Sequence, residues 1–381
     1  MGACASKTGG RHMDRWAAAD GVPPEDKADG EDGDQGHGTI YFQENVSCVV
    51  STTPGLCASG WDDGEIKLIN YDTNAVVHSW TAHSRSVNKL LFAPATSTSV
   101  SDITRRSVGD VIFFPSLYSC SRDTTIARHT FGSLANDPTT PSPTAVTTHP
   151  PYHGHTLTVS ALAINESEST LASGSRDTGV SLWDVATSMR RQHTITSQNI
   201  VTCMAWVPRD ANVVAQGGED LRVRLWDARA WKAPTQTIEG YIYFPLSIAC
   251  SDDGHYLLTS SKGFNAVGCE GRVWDRRTGK QVAEMRGHAQ DATACAYIPG
   301  RNHEGITASK DSSIRVWDTT TGDLLASTQD ANAGMFTSVS CVPNDTTSST
   351  DGVTRILTSS FAGRIAMYGW DSSTRRLELV S

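Results

Sequence analysis

One pattern constrains the fold of the chain more than any other feature. From residue 171 onwards, an Asp recurs at a fixed distance before a Trp-Asp pair. The clearest copies are "LASGSRDTGVSLWD" (171–184), "VAQGGEDLRVRLWD" (214–227) and "ITASKDSSIRVWD" (306–318). In each copy an Asp stands six residues before a Trp, and a second Asp follows that Trp. A fourth Trp-Asp pair begins at Trp274, so the four Trp positions are 43, 48 and 43 residues apart. This period predicts repeated units that bury their faces against neighbouring units.

Degenerate copies extend the series to seven units over roughly residues 44–381. The segments "ASGWDDGEIKLIN" (58–70), "SCSRDTTIARHT" (119–130) and "SSFAGRIAMYG" (359–369) place Ile69, His129 and Tyr368 at the Trp position. Strands such as "VSLWDV" and "RVRLWD" alternate apolar with polar residues, and Gly, Asp, Asn and Ser fill the turns between them. Seven four-stranded blades would close a ring with only short, protected edges.

The sequence resembles the WD40-repeat family, whose recurring Gly-His has counterparts at Ala82-His83, Gly154-His155 and Gly287-His288. The resemblance implies an all-β, seven-bladed WD40 β-propeller over residues 39–381. The composition of the preceding segment predicts a disordered N-terminal extension over residues 1–38. The resemblance also implies a hydrogen-bonded network of structural residues inside the blades. Its expected members are His83, Asp123, His155, Asp177, Trp183, Asp220, Trp226, Trp274, His288, Asp311 and Trp317.

This network has the chemistry of a catalytic Ser-His-Asp set, but a nucleophilic constellation should occur once and face a cleft. Here the set recurs at the repeat period, which favours a structural role. The chain also lacks a P-loop, a zinc-protease helix motif and a G-x-S-x-G sequence. We therefore expect no enzyme activity, no catalytic residue and no cofactor.

A metal site is not expected either. The nine Cys residues are scattered, none of them in a CxxC pair. His149, His153 and His155 lie close together in sequence, but the blade network already uses His155.

Two stretches resemble the WD repeat-containing protein 31 family of ciliated organisms. They are residues 199–230 and 260–277, and the second carries an expanded turn with no Asp six residues before Trp274. That family is associated with membrane cargo traffic in cilia under small-GTPase control. The resemblance implies a non-catalytic scaffold in ciliary or flagellar protein trafficking.

Correspondence with the WD40 family also indicates a binding face. The residue before the repeat Asp lies on the narrower face of such rings, near the channel. The positions concerned are Asp62, Arg122, Arg176, Glu219 and Lys310, with Trp61 beside them as a possible anchor. Their mixed signs suit a protein partner, and the net charge of −9 argues against nucleic acid. We expect a monomeric ring that works within a complex.

The opening "MGACAS" matches the N-myristoylation pattern at Gly2, and Cys4 is placed for a second, palmitoyl chain. One acyl chain binds a bilayer only marginally, whereas two hold firmly. Residues 20–38 are rich in Asp, Glu, Gly and Pro, which predicts a flexible linker. The predicted location is the cytoplasmic face of a ciliary or flagellar membrane. The alternative is a soluble cytoplasmic WD40 adaptor, such as a ubiquitin-ligase substrate receptor or a signalling scaffold.

The repeat pattern does not cover two insertions, and it leaves two candidates for the strand that closes the ring. Residues 95–111 and 136–153 are expected to form surface loops, because buried loops would leave backbone groups unpaired. The final outer strand could come from residues 375–381 or from residues 39–43.

Overall fold

The computed structural model describes residues 39–51, 55–94, 115–132, 145–187, 190–197, 199–342 and 352–380. The predicted N-terminal segment 1–38, with Gly2 and Cys4, lies outside the described residues, as does the predicted insertion 95–111. The described residues contain no helix long and apolar enough to cross a membrane.

The described residues contain twenty-nine strands, which form seven antiparallel sheets, each of them one blade. Blade 1 contains β2 (Val46–Ser51), β3 (Leu56–Trp61), β4 (Glu65–Asn70) and β5 (Ala75–Thr81). Blade 2 contains β6 (Val87–Phe92), β7 (Leu117–Ser121), β8 (Ile126–Phe131) and β9 (Val146–Thr148). Blade 3 contains β10 (Val159–Ile164), β11 (Thr170–Ser175), β12 (Gly179–Asp184) and β13 (Arg190–Thr196). Blade 4 contains β14 (Val201–Trp206), β15 (Val213–Gly218), β16 (Arg222–Asp227) and β17 (Gln236–Ile238).

The remaining blades follow the same order. Blade 5 contains β18 (Pro245–Cys250), β19 (Tyr256–Ser261), β20 (Gly271–Asp275) and β21 (Gln281–Met285). Blade 6 contains β22 (Ala292–Ile298), β23 (Arg301–Ser309), β24 (Ser313–Asp318) and β25 (Leu324–Gln329). Blade 7 contains β26 (Phe336–Cys341), β27 (Val353–Ser360), β28 (Arg364–Asp371) and β29 (Arg376–Leu379), together with β1 (Thr39–Tyr41). The predicted seven-bladed, all-β fold is confirmed.

Both faces of a blade are buried, each against a different neighbour. In β12, Val180 and Leu182 pack with Met204 and Trp226 of blade 4. Trp183, the residue after Leu182, packs instead with Tyr118 of blade 2. Successive side chains of a strand point to opposite faces of its sheet. The alternating apolar pattern therefore buries surface on both sides, and no blade completes its core alone.

The innermost strands are joined around the channel by side-chain hydrogen bonds. At the second residue of these strands, a hydroxyl or amide donates to a main-chain oxygen that begins the next blade. The bonds are Asn88 Nδ2 to Val159 O (2.8 Å), Ser160 Oγ to Val201 O (2.5 Å), Thr202 Oγ1 to Pro245 O (2.6 Å), Thr293 Oγ1 to Phe336 O (2.9 Å) and Thr337 Oγ1 to Val46 O (2.9 Å). The last of these joins blade 7 to blade 1 and so closes the ring. In blade 1 the position is Ser47, whose Oγ donates to Asp62 Oδ1 instead (2.9 Å), and in blade 5 it is Leu246, which has no side-chain donor.

The outer edge of blade 7 is shared by two segments from opposite parts of the chain. β1 pairs with the start of β28 through Thr39–Ala366 and Tyr41–Arg364. β29 pairs with the rest of β28, from Tyr368–Leu379 to Asp371–Arg376. Both candidates for the closing strand therefore contribute, each covering about half of the edge.

The structure corrects one expectation about the loops. The predicted insertion 136–153 was expected to be surface loop, but Val146–Thr148 forms β9, the outer strand of blade 2. His129 opposite Thr148 anchors the pairing, since its Nδ1 lies 3.1 Å from Thr148 Oγ1. The Pro-rich part, residues 136–144, lies outside the described residues.

Candidate protein-binding face

The predicted network forms within single blades. In blade 3, His155 Nε2 and Trp183 Nε1 both lie 2.8 Å from Ser173 Oγ, and His155 Nδ1 lies 3.1 Å from Asp177 Oδ2. In blade 6, His288, Asp311, Trp317 and Thr307 repeat this geometry. His288 Nε2 and Trp317 Nε1 are each 2.8 Å from Thr307 Oγ1, and His288 Nδ1 is 3.1 Å from Asp311 Oδ2.

The carboxylate of this network joins two loops at the same end of the blade. Asp177 Oδ1 accepts from Gly179 N in the turn between the second and third strands (2.7 Å). Its Oδ2 accepts from Thr156 N in the loop between blades (2.8 Å). Asp123 and Asp311 make equivalent pairs of bonds in blades 2 and 6. Because every oxygen has a donor, the Asp shapes the loop face rather than serving as a reactive group.

Blade 2 contains a histidine where the repeat has Trp. His83 Nε2 lies 2.7 Å from Ser119 Oγ, and His129 Nε2 lies 2.9 Å from the same hydroxyl. His129 is fully buried and its Nδ1 also accepts from Trp80 Nε1 at 3.3 Å. Asp123 pairs with His83 Nδ1 at 3.2 Å.

Blades 4 and 5 replace the histidine, and sequence reasoning missed the replacements. In blade 4, Trp226 Nε1 donates to Gln216 Oε1 (3.1 Å), and buried Arg224 pairs with Asp220. In blade 5, Trp274 Nε1 donates to Thr259 Oγ1 at 3.2 Å. Tyr241 supplies the hydroxyl partner of Thr259 at 3.0 Å. Nearly buried Arg272 pairs there with Glu284 (3.2 Å) and lies 3.8 Å from Glu270. Polar residues at these positions were visible in the sequence, but their pairing depends on the fold.

The titration of these groups also favours a structural role. Burial lowers the pKa of His83, His155 and His288, although the adjacent carboxylate of each opposes the shift. Burial lowers the pKa of His129 to about 3, and the neighbouring His83 and His149 contribute. Burial opposes ionisation of Asp177, but the hydrogen bonds that it accepts leave its pKa below the usual value. Neutral imidazoles beside ionised carboxylates suit fixed hydrogen bonds.

Stability should therefore fall in acid. The folded pKa of His129 is depressed from 6.5 to about 3, so below pH 6.5 the unfolded chain binds a proton that the folded chain does not. The contribution of neutral His129 to the stability is fully present above pH 6.5 and is lost progressively as the pH falls towards 3. In urea unfolding followed by tryptophan fluorescence, His129→Gln should show a smaller decrease over this range than the wild type. Equal slopes for the two proteins would contradict this assignment.

One residue of most blades reaches the rim of the loop face through a repeated main-chain bond. The residue after the second strand donates its N–H to a carbonyl of the preceding loop. The pairs are Arg122 to Ser86 (2.9 Å), Arg176 to Thr158 (2.9 Å), Glu219 to Ile200 (3.0 Å), Lys262 to Phe244 (3.0 Å), Lys310 to Asp291 (3.0 Å) and Phe361 to Met335 (3.0 Å). In blade 1, Asp62 occupies this position and accepts from Ser47 Oγ and Ser86 Oγ, both at 2.9 Å.

These rim residues surround the mouth of the central channel. The mouth is an open cavity of about 1070 Å³, and the five predicted charged residues, Asp62, Arg122, Arg176, Glu219 and Lys310, all line it. Lys262, Asp291, Phe244 and Phe361 line it as well and were not predicted. Below it, a channel of about 210 Å³ is lined by the innermost strands and by Lys89.

The charges of the mouth are unevenly paired. Lys310 Nζ bonds to Asp291 Oδ2 at 2.8 Å, and hydroxyl groups satisfy Asp62. Arg122, Arg176 and Lys262 make no ion pair with any residue that the structure describes. Glu219 also makes no ion pair among the described residues, so the mouth carries three unpaired cations and one unpaired carboxylate.

The structure corrects the expectation that Trp61 anchors a partner. Trp61 is fully buried, with no exposed surface. Its ring packs edge-on against Phe42 at 4.6 Å, its Nε1 donates to Ser59 Oγ (3.0 Å), and Lys67 Nζ covers it at 4.1 Å. Trp61 lies in the core between blades 1 and 7, so it supports the face without contacting a partner.

Two groups of side chains in the described residues have the residue types of metal ligands, one of three histidines and one of three carboxylates. His149 Nε2 lies 3.1 Å from Thr130 Oγ1 and His155 belongs to the blade 3 network, so His149, His153 and His155 do not converge. Glu44, Asp63 and Glu65 lie close together near the surface. Lys67 already pairs with Glu65 at 3.2 Å, and Asp63 accepts from Glu65 N at 2.9 Å. This arrangement is that of a solvated turn.

The family model described as "WD domain, G-beta repeat" matches residues 146–184, 189–227 and 279–318. Each match begins with the outer strand of one blade and continues through three strands of the next, as residues 146–184 do from β9 to β12. These three segments are therefore WD40 repeats, and they lie within the seven-bladed propeller.

The chain is also similar to several curated proteins at low identity. It is 27% identical over 300 residues to the ribosome biogenesis protein WDR12 homolog of Chlamydomonas reinhardtii, covering 69% of this chain and 60% of that protein. It is 28% identical over 127 residues to nuclear distribution protein nudF 1 of Talaromyces marneffei, covering 33% and 26%. It is 27% identical over 124 residues to coronin-7 of Homo sapiens, covering 31% and 13%.

The chain thus spans at most 60% of the length of these relatives. The names of the first two refer to different processes, ribosome biogenesis and nuclear distribution. WD40 propellers generally act as non-enzymatic scaffolds for protein interaction.

Proposed function

We propose that this chain is a non-catalytic scaffold that is tethered to a membrane and binds partner proteins at the loop face. The observation that carries the binding role is the convergence of five charged residues from five blades on one cavity mouth. A face of mixed sign with unpaired Arg122 and Arg176 suits a protein surface that carries complementary charge. Nucleic acid is disfavoured as the partner, because the rim also carries Asp62 and Glu219 and the net charge is −9.

The tether rests on the sequence "MGACAS". Gly2 is the proposed myristoylation site and Cys4 the proposed palmitoylation site, with residues 20–38 as the linker. The resemblance to the WD repeat-containing protein 31 family supports a place in ciliary or flagellar trafficking linked to a small GTPase. The proposed location is the cytoplasmic face of that membrane.

Acylation can be tested directly in the native host. Gly2→Ala should move the protein from the membrane fraction to the soluble fraction, because it removes the myristoyl acceptor. Cys4→Ser should weaken retention without abolishing it, since one chain binds only marginally. The intact mass of the native N-terminus should show two acyl chains. An unmodified N-terminus, with both variants fractionating like the wild type, would refute the tether.

The binding face has its own test. The double variant Arg122→Glu, Arg176→Glu should lose the proteins that co-purify with the wild type from the native host. The matched control is Arg277→Glu, Lys280→Glu, which reverses two exposed charges at a strand-connecting turn of blade 5. If both variants retain the same proteins in the same amounts, the loop face is not the binding site.

The alternative is a soluble adaptor, such as a ubiquitin-ligase substrate receptor or a signalling scaffold. It uses the same face but needs no lipid, so it predicts an unmodified N-terminus and a complex recovered entirely from the soluble fraction. Acylation and the charge-reversal test together separate the two.

A further inference from the structure

The turn between β19 and β20 of blade 5 projects from the loop face as a small hairpin, formed by residues 263–269. Phe264 N donates to Val267 O (2.9 Å) and Val267 N donates to Phe264 O (3.0 Å). The two residues between them, Asn265 and Ala266, have φ of 50° and 61°. Two consecutive positive φ values define a type I′ turn, which usually requires Gly or Asn. Ala266 adopts this conformation at a steric cost, so its surroundings must hold it.

Contacts around the hairpin hold that shape. Ala266 N donates to Ala289 O (3.0 Å), and Gly263 N donates to Asp291 Oδ1 (2.9 Å). Gly268 has φ of 78°, and a Cβ there would lie only 2.1 Å from Tyr243 Cδ2. The ring of Tyr243 therefore lies directly against the hairpin backbone. The hairpin and the loop before β18 form one preorganised unit.

This unit exposes apolar side chains at its tip. Phe264 is 69% exposed and Val267 is 52% exposed. Ile242 and Tyr243, from the adjacent loop, are also exposed. We call these four residues, Ile242, Tyr243, Phe264 and Val267, the hairpin patch. A contiguous apolar cluster on a rigid loop is more informative than scattered exposed residues, because it marks a contact surface.

The hairpin patch adjoins the mouth of the channel, whose lining carries both cations and carboxylates. Lys262, the residue before the hairpin, lines the mouth and lies with its Nζ 5.1 Å from the centre of the Phe244 ring. It makes no ion pair within the described part of the chain. Arg122 and Arg176 lie across the mouth in blades 2 and 3. A ligand that crosses from the patch to the mouth meets apolar surface first and then Lys262 and the two arginines, with Glu219 of blade 4 on the same rim.

We propose that the hairpin patch binds a peptide segment of a partner protein that carries an apolar anchor residue flanked by carboxylates. The anchor lies on Phe264 and Val267, and the carboxylates face Lys262 and the two arginines. This inference rests on the proposed scaffold function and specifies the chemistry of its partner. The rigid hairpin favours binding because little conformational entropy is lost there on association.

Selection from a random-peptide phage library against the full chain tests this chemistry. Enriched sequences should place an aromatic or aliphatic residue next to Asp or Glu. A synthetic peptide of the enriched sequence should bind the wild type, and its affinity should decrease as salt concentration rises. Phe264→Ser combined with Val267→Ser should reduce affinity on the order of tenfold or more, as for removal of an interface anchor.

The matched control is Val282→Ser, which changes an exposed valine on β21 (43% exposed) away from the loop face. It should leave the peptide affinity unchanged. No enrichment, enrichment of basic sequences, or equal binding by the hairpin variant and the wild type would each overturn the proposal. Suppose that the Arg122/Arg176 variant loses its co-purifying proteins while the hairpin variant binds the peptide as tightly as the wild type. In that case this inference fails and the proposed function stands. In the converse result, the Arg122/Arg176 variant keeps its co-purifying proteins but the hairpin variant no longer binds the peptide. That result would refute the charged face as the partner site and leave the hairpin patch as a peptide-binding site.

Discussion

Thr307→Val is expected to lower the free energy of unfolding by about 3 kcal/mol. Thr307 is fully buried, and its hydroxyl serves both His288 Nε2 and Trp317 Nε1 at 2.8 Å. Valine preserves the shape of the side chain but leaves two buried nitrogens without their partner. Each such loss costs about 1–3 kcal/mol. Urea unfolding, followed by fluorescence, measures the change.

Thr354→Val is the matched control for this prediction. Thr354 is also a fully buried strand threonine, but its Oγ1 has no hydrogen-bond partner among the described residues. Removing an unpaired hydroxyl should leave stability unchanged or raise it. If both valine variants lost stability equally, the cost would lie in packing, and the blade network would not explain it.

A chain that stops at Arg375 is expected to lose at least about 4 kcal/mol of stability. It lacks β29, whose Leu377 is 8% exposed and packs into the core shared by blades 6 and 7. Losing a buried leucine costs about 2–5 kcal/mol, and the pairs from Tyr368 to Asp371 would be lost too. The unpaired edge of β28 should also promote aggregation, measurable by light scattering.

Two further variants test the shared edge. A chain that begins at Thr39 keeps β1 and should match the full chain in its urea midpoint. A chain that begins at Phe42 loses the pairs from Thr39 to Tyr41 and should be less stable. If the chain that lacks β1 and the chain that lacks β29 both kept the urea midpoint of the full chain, β28 would need no outer partner.

The fold could be predicted because the repeat itself carries it. Each blade has the same alternation and turn chemistry, so even the degenerate units with Ile69, His129 and Tyr368 could be placed by spacing. The rim residues Arg122 and Arg176 followed from correspondence with the WD40 family, and one main-chain bond positions the residue before the Asp in these repeats.

What could not be predicted depends on contacts between distant residues. Trp61 immediately precedes a surface Asp, so it seemed exposed in sequence, but Phe42 and Lys67 cover it in space. In blade 5, Tyr241 and Arg272 take the place of the network histidine and its carboxylate partner, and local spacing could not reveal this replacement. The hairpin patch was hidden for the same reason, since Tyr243 meets Gly268 only when the loop before β18 packs on the turn between β19 and β20. β9 was missed because its strand is short and follows a Pro-rich segment.

The shared outer edge of blade 7 sets an order for folding during synthesis. β1 leaves the ribosome first, yet its partner β28 is among the last strands made. Until then β1 has no hydrogen-bonding edge, and blades 1 to 6 form an open arc. Closing the ring therefore joins strands from nearly opposite ends of the sequence, which is a slow step with a large loss of chain entropy. A nascent chain stalled before β28 would leave exposed the apolar side chains of blade 1 that pack against Ile365 and Met367, and such a surface favours binding by chaperones.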